Sequence, residues 1–135
     1  NQIANHSQSH SEFLPYFTAK QILDDYKDAE QAIHNATGLS PRFYRAPHGK
    51  VTPWMRQALS SQGLILTGWS YSPRDWGNIS AEELTRRVVD AARPGSIILL
   101  HDGLDLNQNL NKSQLIQALP GIIEHLQTQG YREFW

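Results

Sequence analysis

Two apolar runs, each entered through a glycine, set the strongest limit on how this chain can fold. LILTGW (64–69) follows Gly63, and SIILL (96–100) follows Pro94-Gly95. Neither alternates polar with apolar residues, which is the pattern of a strand covered on both faces. Helical stripes lie between and around them. In TAKQILDDYKDAEQAIHNA (18–36), Ile22, Tyr26, Ala29 and Ile33 share one face, with Thr18 placed to cap its start and Gly38 and Pro41 to stop it. TPWMRQALSSQG (52–63) reads as a second helix closed by Gly63, and Ser80 with Glu83 forms a capping box for a third that runs to about Ala92. RFYR (42–45) is short and β-prone. Residues 103–112 read as a polar loop, a last helix spans about 114–129 with Pro120 disturbing its first half, and Gly130 opens a final strand, YREFW.

This β-then-α rhythm predicts an α/β fold of parallel strands with crossover helices packed on the sheet. The rhythm alone does not separate a barrel from an open sheet. At 135 residues the chain suits one domain with a single core. Its net charge of −1 and lack of a basic stretch argue against a nucleic-acid partner. No run approaches the ~18 apolar residues of a spanning helix. With no cysteine, neither disulfides nor thiolate metal sites are possible. The start is abrupt, a few residues before a dense histidine cluster, which leads to the expectation that the chain is a piece of something longer.

Polar clusters follow the predicted strands. They are His6 with His10, Arg45 with His48, Asp75 with Trp76, and His101 with Asp102. In parallel α/β folds the carboxyl ends of the strands share one face and carry the site, so these clusters are expected to meet in space. His34 and His125 fall inside helices and are expected to be solvated. A spacing of four on a helical turn aims the imidazoles of His6 and His10 the same way, suiting a divalent cation. The competing reading is a surface pair. His101, at the end of SIILL, is a natural general acid or base, although Asp102-Gly103 equally suits a plain chain reversal. Asp75 in SPRDW can hold an imidazolium or serve only as a turn residue. Arg45 in YRAPHG can orient a carboxylate or stand solvated.

Taken in order, HSQSH, RAPHG, SPRDW and LLHDG resemble the last four motifs of polysaccharide deacetylases of the NodB-homology type, carbohydrate esterase family four. The resemblance covers essentially the whole chain, residues 1–135, as the C-terminal portion of such a catalytic domain. It implies a distorted, incomplete (β/α) barrel with its first strand or strands missing here. It also implies metal-dependent hydrolysis of acetyl groups from a glycan, with zinc the usual metal and an extracytoplasmic location.

By match to the motifs, His6 and His10 are the metal ligands and Arg45 orients the catalytic base. The backbone N–H of His48 stabilises the oxyanion. Asp75 tunes His101, the general acid, while Trp76 and Leu100 line the acetyl pocket. Three departures stand out. The TFDDG-like motif that supplies the base aspartate and the aspartate metal ligand is absent, so an N-terminal segment or second chain is expected to carry it. Asp24 and Asp25 sit mid-helix, read as far from any strand end. His48 replaces the usual tyrosine, and Ser72 stands where the fourth motif commonly begins with aspartate. The alternative is a non-catalytic, glycan-binding relative in which Trp54, Trp69, Tyr71 and Trp76 offer stacking surfaces.

Overall fold

The computed structural model describes residues 2–103 and 112–132. The chain forms two compact units, 1–68 and 69–135, each with its own apolar cluster.

The first unit is built on a parallel sheet in the order β1 (Ala4–Asn5), β2 (Phe43–Tyr44), β3 (Ile65–Leu66), with Ala4 opposite Phe43 and Phe43 opposite Ile65. Helix α1 (Ala19–Thr37) links β1 to β2, and α2 (Pro53–Ser60) links β2 to β3. The expected α1 cap is complete. The Thr18 hydroxyl accepts from the Gln21 N–H, while the Gln21 side chain accepts from the Thr18 N–H. Gly38, at φ 74°, ends the helix in the left-handed conformation that a Cβ disfavours. Ile22 and Tyr26 of α1 pack with Leu14, Tyr44, Met55 and Leu59. Burying a side chain of this kind is worth roughly 1.5–3 kcal/mol.

LILTGW is not a strand covered on both faces. Only Ile65 and Leu66 pair, and Ile65 is 46% exposed. Among the described residues β3 also has a ladder partner on one side only.

In the second unit, α3 (Ala81–Ala91) and α4 (Ser113–Thr128) pack through Leu84, Val88, Leu115, Ala118, Ile122 and Leu126. Ser80 caps α3 as expected, accepting from the Glu83 N–H, but the Glu83 carboxylate is turned to Arg86 and Arg87. Pro120 does not break α4. It removes one N–H donor, but Ile116, whose carbonyl loses that partner, is 69% exposed, so water can replace it. SIILL, expected as a firm strand, makes a single parallel bridge, Ile98 to Tyr71, among the described residues. Its Ile98 and Leu100 pack instead, half-buried, on the α3–α4 cluster, while Ile97 is 43% exposed. Of the predicted loop 103–112 only Gly103 and Lys112 are described. In the predicted YREFW strand, Tyr131 and Arg132 are not extended partners of any strand, and the rest lies outside the described residues. Gly130 closes α4 rather than opening a strand, with the Tyr131 N–H donating to the Leu126 carbonyl at 3.1 Å. His34 and His125 are exposed, as expected.

Candidate active site

In the first unit the site grows from the loop after β1. His6 and His10 are indeed adjacent, with ring centroids 5.0 Å apart. They are not brought together by a helical turn. Residues 6–13 form an irregular loop in which Ser7 (φ 74°) and His10 (φ 48°) adopt left-handed backbone. Side chains hold that loop in shape. Ser7 N–H donates to Asn5 Oδ1, and His10 N–H donates to Ser7 Oγ. Gln8 and Ser9 N–H donate to the two oxygens of Asp25, at 3.1 and 2.9 Å.

Asp25 therefore lies beside the histidine loop, contrary to the expectation that it sits far from any strand end. It is three residues from Ile22 and four from Ala29, the buried stripe of α1. A carboxylate on that inward side has to find donors, and this was the signal in the sequence. Asn5 is fully buried and also donates to the Tyr26 carbonyl at 3.0 Å. The Asp25 charge, after burial itself, pushes the Tyr44 phenol up.

His6 Nδ1 lies 2.7 Å from the Arg45 carbonyl. A carbonyl only accepts, so Nδ1 donates and the lone pair of the neutral ring is on Nε2. Histidine ligands to metals characteristically have this arrangement, one nitrogen tied to a carbonyl and the other directed to the ion. The donor chemistry of His6 and His10 thus fits two ligands of a divalent metal. His48, at φ 54°, places its ring 4.8 Å from His10, an imidazole contact that its motif position did not predict. Even so, no group of three or more His, Cys, Asp or Glu among the described residues is placed to hold a metal ion. Arg45 donates from its guanidinium to the Gly68 carbonyl at 3.1 Å, while its Nε is a buried donor without an acceptor.

In the second unit Asp75 is fully buried and grips His101 twice. Oδ1 takes the ring Nδ1 and Oδ2 takes the backbone N–H, both at 2.8 Å. The tautomer of His101 is set by this pair, with the proton on Nδ1 and the ring lone pair on Nε2. The Trp76 ring meets His101 edge-on at 5.2 Å and 86°, and the residue is 43% exposed. Leu100 is half-buried against the α3–α4 cluster. Lys112, which the motifs did not single out, brings Nζ to 3.5 Å from Asp75 Oδ2 with only 10% of its side chain exposed. Ser72, at the departed aspartate position, has a buried hydroxyl without a hydrogen-bond partner. Each unit therefore assembles its own predicted residues, His6, His10, Arg45 and His48 in one and Asp75, Trp76, Leu100 and His101 in the other.

The family model described as polysaccharide deacetylase matches residues 1–66. The chain is 31% identical to a chitooligosaccharide deacetylase of Bradyrhizobium sp. (strain ANU 289), over 97% of this chain and 63% of that protein. It is 31% identical to a peptidoglycan-N-acetylglucosamine deacetylase of Bacillus cereus, over 98% of this chain and 60% of that protein. Among solved structures, a family 4 carbohydrate esterase from Streptomyces lividans superposes with a TM-score of 0.81 at 26% identity, covering 96% of this chain and 62% of that one. The chain thus spans less than two thirds of the length of each of these relatives. Residues 1–66 thus match the polysaccharide deacetylase family, and the fold is similar to that of a family 4 carbohydrate esterase.

Proposed function

We propose that this chain takes part in the hydrolytic removal of acetyl groups from a polysaccharide, with a divalent metal, zinc first among candidates. The observation that carries the reading is the double grip of Asp75 on His101. A fully buried carboxylate bonded to the ring and the backbone of one histidine fixes its orientation and tautomer, the service such a pair performs in acyl-transfer hydrolases. In this reading His101 delivers a proton to the departing amine or alkoxide. The backbone N–H of His48 stabilises the oxyanion, and Trp76 and Leu100 line the acetyl pocket. His6 and His10 hold the metal, which when bound polarises the acetyl carbonyl and lowers the pKa of a water. Arg45 orients the general base, and its buried Nε without an acceptor suits a carboxylate oxygen. We assign that base and the remaining metal ligand to an aspartate pair on a segment or chain outside these 135 residues.

Two relatives are named for N-acetylated glycans, so chitooligosaccharide and peptidoglycan glycan strands are the substrates to try first. We propose that the working protein acts outside the cytoplasm, where such substrates are met. The test is acetate release from N-acetylated chitooligosaccharide by the protein together with the segment bearing the aspartate pair, with and without chelator. Release abolished by chelator and restored by zinc is expected. Release indifferent to chelator, or none on any acetylated glycan, would refute the reading.

The exposure of Trp54 (49%), Trp69 (36%) and Trp76 (43%) favours the second reading, a non-catalytic glycan-binding relative. That reading requires saccharide binding that survives both His101→Ala and metal removal.

A further inference from the structure

The loop that carries His6 and His10 has little regular structure of its own, yet four successive N–H groups in it are engaged. The N–H groups of residues 7, 8, 9 and 10 each donate to a side-chain oxygen, from Asn5, Asp25, Asp25 and Ser7 in turn. Two of those four bonds end on the loop itself or on the residue just before it, Ser7 and Asn5. Asp25 takes the other two, reaching the loop from α1, 17 and 16 residues along the chain. Both of its oxygens are used, one per N–H, on the two residues midway between the histidines. Asn5 adds a second tie to α1 through the Tyr26 carbonyl.

The loop also holds Ser7 and His10 in left-handed backbone. For non-glycine residues this costs of order 1 kcal/mol or more each. Such a loop keeps its shape only when its surroundings over-determine it. Charge-assisted bonds to a carboxylate are the strongest of the ties that hold it.

We propose that Asp25 is a positioning residue for the metal. By clamping Gln8 and Ser9 it presets the distance and direction of the two imidazoles, so that metal binding does not have to order the loop. The inference rests on the reading of His6 and His10 as metal ligands. It goes further in placing part of the metal affinity on a helix that contributes no ligand.

The experiment is zinc titration by calorimetry of the chain together with the segment bearing the aspartate pair, with circular dichroism to confirm folding. Asp25→Ala is compared with Asp24→Ala, which removes the same charge one residue away. Asp24 is half-exposed and paired with Lys20. Asp25→Ala is expected to weaken zinc binding about 10-fold or more, the usual effect of losing a group that orients a ligand, and Asp24→Ala to leave it unchanged. Asp25→Glu, which keeps both oxygens, is expected to recover most of the affinity. If Asp25→Ala does not fold, Asp25→Asn decides. It keeps one acceptor for two donors, and affinity equal to wild type in that variant overturns the proposal. Equal weakening by Asp24→Ala and Asp25→Ala also overturns it, by showing bulk charge at work. Absence of zinc binding in the wild-type chain together with the segment bearing the aspartate pair, or binding undisturbed by His6→Ala and His10→Ala, overturns the metal reading itself and this inference with it.

Discussion

Asp75 and His101 are joined by two hydrogen bonds of 2.8 Å, one to the ring and one to the backbone of the same residue. The backbone bond fixes where the residue sits, and the ring bond fixes which nitrogen bears the proton. His101→Ala is therefore expected to lower turnover about 10²–10⁴-fold, the usual contribution of a positioned general acid, with metal content unchanged. His6→Ala or His10→Ala is expected to lose the metal. Metal per chain, measured by elemental analysis beside kcat, checks this division of roles, and equal loss in all three variants contradicts it.

Lys112 and Asp75 form a pair in which the carboxylate is fully buried and the lysine side chain 10% exposed. Removing one member leaves the other charge buried without compensation. Asp75→Leu is expected to cost about 3–5 kcal/mol of stability in urea unfolding. The double variant Asp75→Leu with Lys112→Met is expected to cost distinctly less, because no charge then stays behind. Additive losses would show that the two groups are not coupled.

The α1 cap is reciprocal, so both a donor at the helix start and the Thr18 backbone N–H depend on it. Thr18→Ala is expected to lower stability by about 1 kcal/mol. The drop should appear in thermal melts as a lower Tm, and an unchanged Tm counts against the cap as a stabilising feature.

The Glu83 carboxyl is lowered from 4.5 to about 2, first by the hydrogen bond from Arg86 and then by that from Arg87. A carboxyl depressed in the folded state is protonated more readily when unfolded. Its stabilisation is thus present above about 4.5 and is lost as pH falls towards about 2. The effect is screened in salt, because Arg86 is largely exposed. Helix content followed by circular dichroism should fall more steeply across that window in wild type than in Glu83→Gln. Parallel curves would remove Glu83 from the acid response.

Much of this arrangement was legible in the residues. The helical stripe at Ile22, Tyr26 and Ala29, the caps at Thr18 and Ser80, and the glycine stop at Gly38 all appear where local rules place them. Those signals are short-range, so they survive reading one segment at a time. The groupings of His6 with His10 and of Asp75 with His101 were likewise legible, because the order of these residues along the chain is itself a pattern.

What the sequence could not decide were the partners. Whether SIILL is a strand depends on which chain lies beside it, and there only Ile98 finds a bridge, to Tyr71. Whether His6 and His10 face each other depends on a loop shaped by Asn5 and Asp25 rather than on helical spacing. Lys112 reaches Asp75 across 37 positions, a pairing no local pattern encodes. Sequence by itself determined the helices, the caps and the kinds of chemistry on offer, because these depend on neighbours three or four residues away. Tertiary structure alone decided which carboxylate meets which donor, because a buried charge is stabilised by whatever the fold brings within hydrogen-bond reach.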